Sequence, residues 1–373
     1  MPTLTSIPGR LFRRAKRSVT MSAPALLPTP AWKNTAMKPR LALGCVALAL
    51  ASWPAAQSPA QSPVPTGPKP PPLVQVEPLP HHQARFVQGN RELTRYHFDP
   101  ADRRSFLYPL TGPSGLSLTR MGHPRDPVGH SHHNSAWVAH HIVDGTNFWG
   151  DRGAKLGRVV TQMIEQIDDA DDDAWLTAVN HWIADDTQET LLVERRRIEV
   201  RPLADGESLT LIDLEFTAPK RPITFEKTTF GLLAVRMRKS IGVHDGGGRI
   251  LNSEGAVNEK GTDGTNGVFW KPAKWCDYAG PVTATASEGV TIFDHPKNHN
   301  FPTEFHVRDD GWMGTCLTYD GPLTLQPGTK LKLRYGLYAH AGVPEVSALD
   351  VQWDKFAKLP MLETLEKPKP VKK

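Results

Sequence analysis

The stretch Thr329-Lys330-Leu331-Lys332-Leu333-Arg334-Tyr335-Gly336-Leu337-Tyr338-Ala339-His340 alternates one residue at a time. Leu331, Leu333, Tyr335, Leu337 and Ala339 fall on one face of an extended chain, and Lys330, Lys332, Arg334, Tyr338 and His340 on the other. A period of two marks a strand with one buried face, so the opposite face is expected to be wet or functional. Ser208 to Phe216 and Gly289 to His295 read the same way. Thr190 to Arg201 places Glu194 and Arg196 on one face with Leu192, Ile198 and Val200. A charge pair among apolar neighbours must be mutually satisfied or open to a cleft. Short strand-like segments recur between Gly, Pro, Asp and Asn clusters from His81 to Val343, with no sustained helical period. The expected architecture is therefore all-β, one large antiparallel β-sandwich over 81–343. Val346, Leu349, Trp353 and Phe356, with Pro344 at a first-turn position, predict a short helix in 344–373 that caps the sheets.

Outward from this core the chain changes character. The 373 residues carry a formal charge of +5, yet Met1 to Ala56 holds eight basic residues and no acid, leaving −3 for the rest and about −7 once the four lysines of the last seven residues are set aside. A folded basic face, and with it a nucleic-acid partner, is not expected. Lys38-Pro39-Arg40, the apolar run Leu41 to Ala51, and Ser52-Trp53-Pro54-Ala55-Ala56 read as a secretory leader over 1–56, with Met21 or Met37 an alternative start. The run is too short for a membrane helix, so the mature protein is expected to be periplasmic or extracellular, without a membrane span. Sixteen of the 34 prolines lie in the first 80 residues, and 57–80 reads as a Pro-rich tether. Beyond the leader only Cys276 and Cys316 remain, open to one disulfide or to two buried thiols.

Three clusters hold the candidate chemistry. The first is Gly129-His130-Ser131-His132-His133-Asn134 with His140-His141 after Ala136-Trp137-Val138-Ala139. Imidazoles in this density suit acid/base work, a three-ligand metal site, or structural hydrogen bonding. The second is Asp294-His295-Pro296-Lys297-Asn298-His299 running on to Glu304, His306 and Arg308, just past a predicted strand, where loops carry sites. The third, Trp270, Trp275, Asp277 and Tyr278, sets aromatic faces beside a carboxylate, as sugar sites do, or supplies core tryptophans. Asp168 to Asp173 lacks the glycine and terminal glutamate of a calcium loop and reads as a solvated hairpin tip. Asn258 and Asp263 sit in a Gly-rich stretch that is either a mobile loop near a site or a long connection. No P-loop, dinucleotide fingerprint or Gly-x-Ser-x-Gly elbow is present, which argues against nucleotide and serine-hydrolase chemistry.

The chain resembles a family of exported bacterial proteins labelled PmoA, or methane oxygenase PmoA. The resemblance covers most of Arg95 to Gly342. It rests on Tyr108-Pro109-Leu110, Gly112-Pro113-Ser114-Gly115 and Thr119-Arg120; on His130-Ser131-His132-His133 with Trp137, His140, Gly145, Phe148 and Trp149; and on Asp294-His295-Pro296-Lys297-Asn298 with His306 and Arg308. The family's first block usually reads Asp-His-Pro-His-His, and here Gly129 and Ser131 replace the Asp and the Pro, which removes an acid that would orient a histidine. The resemblance implies a sandwich similar to galactose mutarotase-like proteins. The expected function is an exported protein that binds or acts on a glycan or small sugar, by hydrolysis or epimerisation. His132, His133, His140, Asp277 and Glu304 are the catalytic candidates. Arg120, Trp137, Arg236, Asn258, Trp275, Tyr278, His295, Asn298, His306 and Arg308 are the substrate-binding candidates. The alternatives are a non-catalytic glycan binder and, following the family label, a metal-dependent oxidase. No cofactor is firmly implied, and a divalent metal stays open.

Overall fold

The computed structural model describes residues 70–366 apart from Pro124, Pro127 and Asp263. The leader, the tether up to residue 69, the basic tail 367–373 and Asp263 lie outside the described residues. The alternating stretches form two large antiparallel sheets. One has nine strands in the spatial order Val74–Leu79, Gln83–Gln88, Arg91–His97, Phe106–Leu110, Ala136–Val138, Leu233–Arg236, Trp312–Thr315, Glu304–Arg308 and Lys271–Pro272. The other has eight, in the order Arg249–Asn252, Trp275–Pro281, Ser287–Asp294, Leu331–Ala341, Ser208–Thr217, Thr190–Pro202, Ala174–Ala184 and Gly157–Asp169. A small pair, Ile223–Phe225 with Leu323–Leu325, stands apart.

The sheets face each other across one apolar cluster that takes Phe86, Val138, Val235 and Val307 from the first and Ile198, Ile212, Leu333 and Leu337 from the second. Burying one face of each sheet in this way is what the period of two requires. The C-terminal helix Val346–Ala357 packs Leu349 and Phe356 against Trp275, Phe293 and Tyr338 on the outer face of the eight-stranded sheet. Pro344 precedes its N-cap Glu345, two residues before the first turn where it was expected. Among the described residues no helix is long and apolar enough to cross a membrane.

Two expectations need correction. The tether does not reach residue 80, because Val74–Leu79 is a strand paired along its length with Gln83–Gln88, and Val74 and Val76 are core. Nor is the second face of Leu331–Ala341 wet. Arg334, Tyr338 and His340 are buried, and each has a partner: Arg334 forks onto Asp213 at 2.6 and 2.9 Å, His340 Nε2 meets Asp277 Oδ1 at 2.8 Å, and Tyr338 donates to Glu207. Glu194 and Arg196 satisfy each other at 2.5 Å, with Trp182 Nε1 donating to the same carboxylate at 2.7 Å. Asp171 and Asp172 form the exposed hairpin tip between Gly157–Asp169 and Ala174–Ala184. Cys276 and Cys316 are buried free thiols.

Candidate functional site

The outer face of the nine-stranded sheet carries the site, and strand register builds it. Val138, Leu233, Val235, Met313, Phe305 and Val307 point into the sandwich, so their neighbours point out. One outward row runs Trp137, Ala234, Gly314, His306 across four strands. The next runs Arg236, Trp312, Arg308. Ala234 and Gly314 are small, and the Trp312 ring lies 3.2 Å from where a Cβ on Gly314 would stand. Large side chains on either side of small ones leave a hollow. It measures about 330 Å³, within the range of small-molecule sites, and Trp149, Phe230 and Trp312 give it aromatic walls.

The loop before Ala136–Val138 supplies the histidines. Arg104, fully buried, donates to the carbonyls of His132 (2.9 Å) and Trp149 (2.6 Å) and so ties this loop to the next. His133 lies between the rings of Trp137 and Trp312, with centroids at 5.5 and 5.2 Å. His130 and His132 flank it at 4.9 and 4.6 Å. His123 Nδ1 accepts the backbone N–H groups of Arg125 and Asp126, so its proton sits on Nε2 and is donated to Asp310 at 2.8 Å. Arg236 Nη1 reaches the other oxygen of Asp310 at 2.9 Å. His306 Nδ1 donates to the carbonyl of Thr229 at 3.2 Å, which leaves the Nε2 lone pair free. Among the described residues, no three His, Cys, Asp or Glu side chains are arranged to hold a metal ion.

Burial sets the charge state of these groups. It pushes His132 and His306 down to about 4, helped at His132 by the Arg104 charge, and His133 falls lower still under burial and Arg236. Burial also raises the cost of ionising Asp310, but hydrogen bonds from Arg236 and His123 outweigh it and hold the carboxyl below the usual range. At neutral pH His132, His133 and His306 therefore present uncharged imidazoles to the cavity, which donate and accept hydrogen bonds but hold no second proton to give.

Because the fold lowers these histidine values below the unfolded one, it favours the neutral ring; the stability this confers is complete above about pH 6.5 and is lost as pH falls toward 4. His140, lowered to about 3 by burial, acts in the same direction, whereas Asp294, raised to about 7 by burial, acts in the opposite one. Four imidazoles outweigh one carboxyl. Urea unfolding should show a loss on the order of 2 kcal/mol per buried ring between pH 7 and pH 4.5. Equal stability at the two pH values would contradict this account.

Of the candidates drawn from the sequence, the cavity wall takes His132, His133, Arg236, His306 and Arg308. Trp137 lies behind the wall, stacked on His133, and Arg120 supports the site by donating to the Asp310 carbonyl at 3.2 Å. The remaining candidates lie elsewhere. His140 is buried with both ring nitrogens engaged, by Ile142 O and Thr318 Oγ1. Asp277 is buried in the other sheet against His340 and Thr291. Trp275 donates to Asp350 beneath the C-terminal helix. His295 packs on Phe356, and Asn298 clamps Asp294 to the backbone of Arg334. Asn258 turns its own loop by accepting from Ile250 N. Glu304, raised by burial, meets only Asn300 at 3.4 Å. Tyr278 acts from below, its hydroxyl holding the carbonyls of Arg308 and Asp309 in the turn that presents Asp310.

That turn was legible as Asp309-Asp310-Gly311 between two apolar runs, a hairpin signal, and Gly311 takes the positive φ of 99° such a turn needs. Trp312 and Phe230, by contrast, carried no local sign of a role. A second, more polar hollow of about 200 Å³ adjoins the cavity and shares His132 with it.

A model of a family of unknown function, DUF6807, matches residues 83–354. The chain belongs to the DUF6807 family. The matched span takes in every cavity residue named above. The family description carries no activity, and nothing in the match bears on the methane-oxygenase label. No curated protein matches the chain. Among solved structures, a putative kojibiose phosphorylase from the human microbiome is similar at 7% identity and a TM-score of 0.30, over 78% of this chain and 37% of the other. A 4-alpha-glucanotransferase from Thermococcus litoralis is similar at 11% identity and a TM-score of 0.31, over 72% of this chain and 39% of the other. The chain thus spans less than two fifths of either structure, and likeness at this level assigns no activity.

Proposed function

We propose that this protein is an exported carbohydrate-binding protein whose site is the histidine-rimmed cavity on the outer face of the nine-stranded sheet. The observation that carries the reading is the combination in one hollow: aromatic faces from Trp149, Phe230 and Trp312, beside neutral imidazoles and the Arg236–Asp310 pair. A pyranose offers apolar C–H faces for stacking and a girdle of hydroxyls for hydrogen bonds, and such a wall meets both needs. Recognition fits the histidines better than proton transfer does, since groups held near 4 are poor acids at neutral pH. A catalytic variant of the reading rests on His306, whose free Nε2 lone pair makes it the one candidate base with a fixed tautomer on the wall.

The test is a panel of monosaccharides and short glycans against the purified protein, read by calorimetry and by melting temperature. At least one member should bind and raise the melting temperature with the logarithm of one plus its concentration over Kd. A folded protein that no member stabilises would retire the reading. Turnover that disappears in His306→Gln while binding persists would establish the catalytic variant.

A further inference from the structure

Half of the buried side-chain polar atoms without hydrogen-bond partners among the described residues belong to residues at or just behind this cavity: five are N–H donors of arginine and tryptophan, and three are the Nδ1 atoms of His130, His132 and His133. Arg236 is 1% exposed, and only its Nη1 is engaged; Nε and Nη2 are buried with no acceptor in the protein. Trp137 Nε1, behind His133, is likewise a buried donor without an acceptor, as are Arg120 Nε and Arg104 Nε. An unsatisfied buried donor costs free energy, and one on a guanidinium costs more than one on a neutral group. Nε and Nη2 form one edge of the guanidinium, with two parallel N–H bonds spaced to grip a carboxylate.

The charge around the cavity points the same way. Arg308 is neutralised by Glu259 at 2.6 Å. Arg236 pairs with the Asp310 carboxylate, whereas Arg120 reaches only the Asp310 backbone carbonyl, so among the described residues no carboxylate is hydrogen-bonded to Arg120; Asp126 and Asp151 stand on the opposite rim, beside His130 and His132. Burial and the neighbouring Arg236 charge lower Arg120 to about 10, a sign of how closely the two cations are held. His132, His133 and His306, kept neutral by burial, add no charge to offset or reinforce them. Asp310 does oppose an incoming anion, but its two oxygens are already occupied by Arg236 Nη1 and His123 Nε2.

We infer that the sugar this cavity takes carries a carboxylate, a hexuronate or a glycan ending in one, and that Arg236 receives it through its free Nε–Nη2 edge. This rests on the carbohydrate reading above. A neutral sugar offers that edge only uncharged hydroxyl oxygens, whereas a uronate presents two coplanar charged oxygens to it while its ring lies against the aromatic wall.

The experiment compares matched pairs on the intact protein by calorimetry: glucose with glucuronate, galactose with galacturonate, mannose with mannuronate, and acetate as an anion without a ring. The expected result is at least one uronate binding about tenfold or more tighter than its neutral partner, with the preference weakening as salt rises. Arg236→Lys keeps a cation for Asp310 but lacks the fork, and should shrink the preference to about twofold. Arg120→Gln, which leaves the fork in place, is a second variant should Arg236→Lys fail to fold; it should reduce the preference and its salt dependence without abolishing either. Neutral sugars binding as tightly as uronates would overturn the inference and leave the carbohydrate reading standing. Acetate binding as tightly as the uronates, or no member binding, would overturn both.

Discussion

Asp213→Ala is expected to lower the free energy of unfolding by about 3–5 kcal/mol, the scale for stranding one member of a buried ion pair. Arg334 is 3% exposed and Asp213 is 4% exposed, and the guanidinium grips both carboxylate oxygens while its Nη1 donates to the carbonyl of Pro360 at 2.9 Å. Removing the acid leaves a cation with no water to replace its partner. Asp213→Leu combined with Arg334→Met should recover much of the loss, because a desolvated pair can be replaced by apolar groups of similar volume at little net cost. Urea melts with an unchanged m-value would check both variants. A single mutant within about 1 kcal/mol of the native protein would show that the segment after the C-terminal helix opens to let water reach Arg334.

Trp312→Ala should remove sugar binding almost entirely, by about 3 kcal/mol or roughly a hundredfold in Kd, as loss of a central aromatic anchor does. Its ring sits 5.2 Å from His133, 5.5 Å from Trp137 and 5.4 Å from Trp149, so truncation opens one wall and frees His133 to tilt. The same change creates a cavity in the outer aromatic cluster and should cost about 3 kcal/mol of stability. Trp312→Phe separates the two effects, since it keeps a stacking face and most of the packing. Calorimetric titration of both variants, with melting curves to confirm folding, decides the matter. Native affinity in folded Trp312→Ala would exclude this wall from the binding site.

The strands were legible because alternation is local. Leu331 to Ala339, Ser208 to Phe216 and the run from Thr190 to Arg201 each carry their own period of two, and a hydrophobic stripe can be buried in only one way. The helix was legible from three- and four-residue spacing for the same reason. What covers the polar face of a strand is not local. Arg334 and Tyr338 look like a solvated face until the helix and the segment after it close over them; Trp275 looked like part of a sugar site until the same helix claimed it as core, and Asp277 until His340 and Thr291 took its carboxylate.

The candidate site divides along the same line. The density of histidine at 130–133 and the His306, Arg308 pair stood out by composition, and both reach the cavity. Arg236 also reaches it, whereas Trp312 and Phe230 sit in an ordinary apolar strand and turn, with nothing nearby to mark them. The sequence by itself determined the fold class, the two layers and the candidate imidazoles, because each follows from residue type and short-range periodicity. Only the tertiary structure decided which imidazoles meet. That choice depends on register between strands far apart in the chain, which sets Trp137 beside Ala234, Ala234 beside Gly314 and Gly314 beside His306, and leaves His140 and His295 buried under other partners.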